Sequence, residues 1–243
     1  VYSNIRRLRD DLTAHPPDHL VVVPLVLDTL HARVLQRLRA GPPARAAVAT
    51  ALLAAGAAYV RAARVLRGEA LTHAAWPPAA EVGGWAAVAR WWAARVGAAV
   101  AAAAAAAVLA PLHALAGKLV YGKIREALGV RRTVISGGGS LAAHLDDFYE
   151  AIGLTVLNGW GLTETSPVLA CRRTEPGQNI RGSVGVPTPG TQLRVVHPDS
   201  LQPLAEGRQG LVLARGPGVM GGYYRDEAAT ARAFRAGDGW FDT

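Results

Sequence analysis

Residues 133–161 constrain the fold of this chain more than any other stretch. Thr133-Val134-Ile135-Ser136 is a short apolar and β-branched run that leads directly into Gly137-Gly138-Gly139. Leu141 to Ile152 then has helical spacing, and Leu154 to Leu157 is a second strand signal ending in Asn158-Gly159-Trp160-Gly161. Strand, helix and strand in so few residues predict a parallel α/β unit, because parallel neighbours need a crossover. Open sheets of this kind take ligands outside the carboxyl ends of their strands, where both glycine stretches fall.

The first glycine run leaves bare backbone against which a flat ligand can lie, and the helix that follows offers free amides to polar atoms or an anion. A purely structural strand-to-helix turn is an equal reading of those three glycines. The second stretch, Asn158 to Pro167, carries more chemistry. Trp160 between two glycines can present a ring face to a base. Thr163 supplies a hydroxyl for a phosphate oxygen, and Glu164 a hard carboxylate suited to magnesium. Stacking face, phosphate donor and metal ligand within five positions make a nucleotide site; a turn with a buried Trp and a surface Glu is the bland competitor.

Upstream, Ser3 to His15 reads as a polar helix capped by Ser3 or Asn4, Leu20 to Val23 as a buried strand, and Leu25 to Leu38 as a helix opened by Pro24. Residues 44–67 and 84–115 are predicted helices separated by Pro77-Pro78, the second nearly pure alanine between Ala98 and Ala107. Residues 96–120 are long enough to span a membrane, but alanine is weakly apolar and Pro111, His113 and Lys118 intrude. An interfacial or buried helix pair is the better expectation, with Trp85, Trp91 and Trp92 as interface anchors or ordinary core residues. Beyond residue 190, Gln192–Val196 and Leu211–Ala214 read as strands of a small antiparallel or barrel-like unit, and Asp226 to Phe234 as a short helix.

The charge is uneven. Residues 1–134 hold seventeen Lys or Arg against seven Asp or Glu, a balance of +10; residues 135–243 hold nine against eleven, or −2. A basic first half suits an acidic partner such as an anionic membrane or a carrier protein, and equally a solvated arginine face. Nucleic acid is not expected as a partner: there is no aromatic–basic interleaving and no helix-turn-helix or finger pattern. The lone Cys171 excludes an internal disulfide framework.

The stretch 133–169, with SGGGSL and NGWGLTETSP, resembles the adenylate-forming superfamily of acyl-CoA synthetases, luciferases and peptide-synthetase adenylation domains. Residues 210–224 resemble its barrel motif, and Gly239-Trp240-Phe241-Asp242-Thr243 its ribose-binding segment. His19 to Asp28 and Leu119 to Gly129 are similar to the long-chain acyl-CoA synthetases. The runs at 111–121 and 150–159 are most similar to plastid long-chain acyl–acyl-carrier-protein synthetases of plants and algae.

The resemblance implies an α/β fold: the large amino-terminal domain of the adenylate-forming enzymes, followed by a β-barrel-like subdomain. Residues 1–130 would be part of an α/β subdomain with a helical insert at about 44–117. Residues 131–190 would be the nucleotide-binding subdomain, and 191–243 the barrel-like one. It further implies an interior piece cut at both ends, lacking a phosphate loop before residue 1 and a lysine-bearing domain after Thr243, and so unable to adenylate alone.

Its implied activity is ATP- and magnesium-dependent activation of a long-chain fatty acid as an acyl-adenylate, passed to the thiol of acyl-carrier protein or coenzyme A in a plastid, with peripheral membrane or envelope association. Gly137, Gly138 and Gly139 would pack along the adenine, within a site that includes Asn158, Gly159 and Gly161. Trp160 would stack on the base where the family usually has Tyr. Thr163 would bind the α-phosphate, Glu164 the magnesium and Asp242 the ribose hydroxyls, with Asp238 a turn residue. The rival expectations are a truncated, non-catalytic relative that only binds nucleotide, and a ligase for shorter acids.

Overall fold

The computed structural model describes residues 8–70 and 80–243. The expected Ser3 or Asn4 cap and the Pro77-Pro78 break lie outside the described residues. A short helix α1 (Leu8–Ala14) precedes strand β1 (His19–Val22), and α2 (Pro24–Arg39) follows with Pro24 in its first turn. The fixed φ of proline suits that position, where its missing N–H costs nothing. Leu27, Leu30 and Val34 recur on one face of α2 and are buried.

The α/β unit forms as the strand–glycine–helix–strand pattern requires. Strand β2 (Thr133–Ser136) pairs in parallel with β1 on one side and with β3 (Thr155–Gly161) on the other, helix α6 (Ala143–Ala151) making the crossover. Two antiparallel strands, β4 (Val168–Cys171) and β5 (Val186–Pro187), extend this to a mixed five-stranded sheet in sequential order. One correction concerns residues 158–161, expected as a loop. They are extended and belong to β3, because Gly159, Trp160 and Gly161 pair antiparallel with β4. The turn itself falls at 162–166, around a single 3-10 turn at Thr163–Thr165.

Two long helices follow in layers: α3 (Pro43–Arg67) packs on α6, and α4 (Ala80–Ala116) packs on α3, the latter running through a π-helical turn at Gly117–Tyr121 into α5 (Gly122–Leu128). Helix α3 docks on α6 through charge. Arg61 and Arg181 both reach Asp147, and Arg64, Arg67 and Arg181 reach Glu150. Buried Asp146 pairs with Arg172 of the chain following β4 at 2.7 Å. The Tyr149 hydroxyl donates to the Leu27 carbonyl at 2.8 Å, tying α6 to α2; burial pushes its phenol far above the usual range.

Helix α4 is a pair with α3, but not a buried one. Its less exposed residues Ala99, Ala102, Ala106, Leu109, His113 and Ala116 recur in alternating steps of three and four, the narrow seam of a two-helix contact. Trp92, Val96, Val100, Val108, Leu112 and Leu115 stand outside that seam and are exposed, as is Trp85. The reading of Trp85 and Trp92 as core residues is thereby corrected: Trp85 is 81% exposed.

Beyond residue 190, β6 (Gln192–Val196), β7 (Leu211–Arg215) and β8 (Phe241–Asp242) form an antiparallel three-stranded sheet around Val196, Leu213 and Trp240. Helix α7 (Glu227–Ala233) begins at Asp226, whose Oδ1 accepts from the Ala229 N–H at 2.8 Å.

Candidate functional site

The parallel register sets Ser136 beside Asn158, so the triple glycine leaves β2 level with Gly159 and Trp160 of β3. The Gly137 N–H donates to the Val22 carbonyl at 3.2 Å, which holds the start of the run on the ladder with β1. Gly138 then takes φ +77°, a left-handed conformation that a side chain disfavours. A Cβ on Gly138 or Gly139 would sit 3.6 Å from Val23 or Pro24 at the start of α2. Both glycines are exposed, so they present backbone to an approaching ligand.

At the heads of the two strands, the Ser136 Oγ and Asn158 Oδ1 atoms are buried, and neither has a hydrogen-bond partner among the described residues. Unsatisfied buried polar atoms are costly and uncommon. Two of them, in register beneath a bare glycine run, fit a site built to receive a polar, flat ligand.

Gly161 lies where backbone meets backbone. A Cβ there would overlap the Pro167 carbonyl oxygen, and the ladder between β3 and β4 shifts register at this point. The turn that follows is held by the wholly buried Thr165. Its hydroxyl oxygen accepts from the Leu162 N–H at 2.9 Å and lies 2.9 Å from the Leu162 and Pro167 carbonyls. That clasp leaves Thr163 exposed and Glu164 half-buried at the tip of the turn.

The 3-10 turn is also fastened to the second sheet. The Met220 N–H donates to the Glu164 carbonyl at 2.7 Å, and the Tyr223 hydroxyl donates to Glu164 Oε1 at 3.0 Å. This hydrogen bond holds the Tyr223 phenol above its usual range. Tyr223 and Met220 are site neighbours that sequence reasoning missed. Tyr223-Tyr224 lay within the quoted motif at 210–224, but nothing in its spacing links it to a residue 59 positions earlier.

Asp242 stands apart. Its Oδ2 accepts from Arg235 Nε at 2.8 Å, and it has no hydrogen bond or ion pair with either glycine stretch or the 3-10 turn. Nearby, an open cleft of about 840 Å³ runs between residues 215–221, α7 and Gly237–Gly239, and Asp238 is a turn residue with φ +50°. The structure therefore brings together Gly137–Gly139, Asn158–Gly161, Thr163 and Glu164, and leaves Asp242 on the neighbouring sheet. Cys171 is the partner of Gly159 across β3 and β4, and burial pushes its thiol up.

Chemically, the assembled groups offer bare backbone, two unsatisfied polar atoms, a hydroxyl and a carboxylate. That set can seat a nucleotide and, at the free oxygen of Glu164, a hard divalent cation such as magnesium.

The chain is 42% identical over 242 residues to a protein of Arabidopsis thaliana named probable acyl-activating enzyme 16, chloroplastic. It is 41% identical over 243 residues to long-chain-fatty-acid–[acyl-carrier-protein] ligase AEE15, chloroplastic, of the same plant. Each match covers all of this chain but 31% of the relative, so the chain spans about a third of their length. Among solved structures, apo MatB from Rhodopseudomonas palustris matches 51% of this chain and 26% of its own at 30% identity, with a TM-score of 0.44. The family profile described as AMP-binding enzyme matches residues 2–224, and the chain belongs to the AMP-binding enzyme family.

Proposed function

We propose that this chain is the nucleotide-binding portion of a ligase that activates long-chain fatty acids with ATP and transfers them to a phosphopantetheine thiol. The observation that carries the reading is the pairing of a bare triple-glycine run with the Thr163–Glu164 turn at the heads of adjacent parallel strands, above unsatisfied Ser136 and Asn158. In the first step a fatty carboxylate attacks the α-phosphorus of ATP, pyrophosphate leaves, and an acyl-adenylate forms. In the second a thiol displaces AMP to give the thioester.

The residues bind and align rather than react. Gly137, Gly138 and Gly139 lie along the adenine and Trp160 offers its ring to the base. Thr163 donates its hydroxyl to the α-phosphate, and Glu164 holds magnesium, which supplies charge neutralisation at the leaving pyrophosphate. Asp242 accepts the ribose hydroxyls through Oδ1, Oδ2 being engaged by Arg235.

The name of the relative AEE15 supports acyl-carrier protein as the acceptor, and the names of both Arabidopsis relatives support the chloroplast as the compartment. A long-chain-fatty-acid–CoA ligase of Mycobacterium tuberculosis, 40% identical over 137 residues, keeps coenzyme A as the alternative thiol. The exposed stripe of α4 supports peripheral association with an anionic membrane such as the plastid envelope.

The test is ATP–pyrophosphate exchange by the protein from the complete reading frame, driven by a long-chain fatty acid, beside Glu164→Ala. Exchange that requires the acid and falls by about a hundredfold or more in the variant supports the reading. A folded protein without exchange at any chain length favours a non-catalytic nucleotide-binding relative.

A further inference from the structure

Away from the glycine loops, a groove of about 750 Å³ opens between the second half of α2, the first half of α3 and residues 119–128. Its size is that of a small-molecule site. Leu30, Val34, Leu52, Val120, Ile124 and Leu128 form its apolar floor. Arg33, Arg37, Arg45 and Lys123 stand around it, and no acidic residue lines it. None of these four side chains has an ion pair or hydrogen bond with a described residue. Arg33 and Arg37 are also four residues apart on α2, a like-charge spacing that weakens a helix unless an anion sits between them.

A second observation indicates where an occupant enters. Leu119, half-exposed, lines the groove and continues the outward stripe of Val108, Leu112 and Leu115 on α4. The groove therefore opens where that exposed apolar stripe ends.

We propose that this groove holds a long-chain fatty carboxylate taken up from a lipid surface, its chain on the apolar floor and its carboxylate among Arg33, Arg37, Arg45 and Lys123. The choice of a fatty chain rests on the function proposed above; the apolar floor and cationic rim do not. Arg33 lies nine residues beyond Pro24, about 14 Å along α2 at 1.5 Å per residue. A carboxylate bound there is separated from the glycine run by that length of helix, so the groove is a holding site and not the place of activation.

Fluorescence titration of the protein from the complete reading frame with cis-parinaric acid, in the presence of excess palmitoyl sulfamoyl-adenosine to occupy the activating centre, tests this directly. Saturable binding is expected, with the methyl ester at least about tenfold weaker than the acid. Arg33→Glu/Arg37→Glu, both at exposed positions, is expected to weaken binding of the acid at least about tenfold and to erase its preference over the ester. Val48→Trp, filling the groove from a side chain already 56% exposed, is expected to block acid and ester alike with an unchanged circular dichroism spectrum.

Parinarate binding that ignores both variants, or that the adenylate analogue fully displaces, overturns the proposal. So does binding of an acidic amphipathic peptide, sensitive to the charge reversal, where parinarate does not bind. The titration needs no ATP, so a protein that fails in pyrophosphate exchange still reports on the groove.

Discussion

At Gly161 the missing side chain is a packing requirement, because the space a Cβ would fill belongs to the Pro167 carbonyl. Gly161→Ala must push β3 from β4 at the point where the ladder already shifts register. A loss of about 1–3 kcal/mol is expected, read as a lower urea midpoint, together with weaker nucleotide binding because the Thr163–Glu164 turn is displaced. Glu164 makes a contrasting case. Tyr223→Phe removes the hydroxyl that holds Oε1 but keeps the carboxylate, so pyrophosphate exchange should fall only a few-fold, where Glu164→Ala abolishes it. Equal collapse in both variants would show that Tyr223 does more than orient the carboxylate.

His31 carries a pH prediction. Burial, and then the neighbouring His144, depress its pKa below the ordinary value, while Asp28 opposes them. The unfolded chain therefore binds more protons than the folded one between the lowered value and about 6.5. The contribution to stability is full above about pH 6.5 and is lost as pH falls through the folded value. His31→Leu should flatten that acid-side slope in urea midpoints measured between pH 5 and 7; an unchanged slope would place the titration elsewhere.

Among the elements, α6 is where the chain's two charge excesses meet. Its Asp146, Asp147 and Glu150 are clasped by arginines from α3, from the chain after β4 and from Arg181. Burial pulls Arg181 down to about 10, still charged at neutral pH. The Asp146–Arg172 pair is the most enclosed, with both side chains 4% exposed. Removing one partner leaves an uncompensated buried charge, so Arg172→Met should cost about 3–5 kcal/mol. Restoring neutrality with Asp146→Leu in the same chain should recover a large part of that loss in urea unfolding. Failure to recover would mean that the Arg172 bond to the Ser183 carbonyl matters more than the ion pair. This clasp also decides between readings of the basic first half: part of the excess is structural, holding α3 on the sheet, and part remains free at the groove.

For the molecule as a whole, α4 decides how the protein meets its surroundings. From Val96 to Gly117 the sequence has no Asp, Glu, Lys or Arg, a length of 22 residues or about 33 Å of helix. One narrow seam packs on α3, and the opposite stripe stays exposed. Because α3 is itself fastened to α6 by ion pairs, the peripheral membrane association proposed above would have α4 lie along the lipid rather than cross it. Arg90 and Arg95 stand near Trp91 and Trp92 in sequence, Arg95 sitting 4.8 Å from the Trp91 ring centre. Flotation with vesicles rich in anionic lipid should recover the protein. Val100→Glu/Val108→Glu should reduce recovery about tenfold, and high salt should reduce it more weakly. A variant that floats like the wild type, or a wild type that forms a stable dimer and ignores vesicles, would assign the stripe to another partner.

Local pattern was enough to determine the parallel unit and most helix bounds, and it singled out Thr163 and Glu164 as candidates. Strand–glycine–helix–strand has one compact parallel solution, and hydroxyl and carboxylate types state what they can bind. Motifs in order along the chain likewise determined the family. Only the tertiary structure decided what depends on distant neighbours: that Asn158–Gly161 are strand because β4 pairs with them, that Tyr223 holds Glu164, and that Asp242 spends one oxygen on Arg235. It also decided that Trp85 and Trp92 of α4 face outward. An alanine-rich helix is apolar on every side, so its periodicity cannot choose a buried face; the packing of α3 against α6 makes that choice.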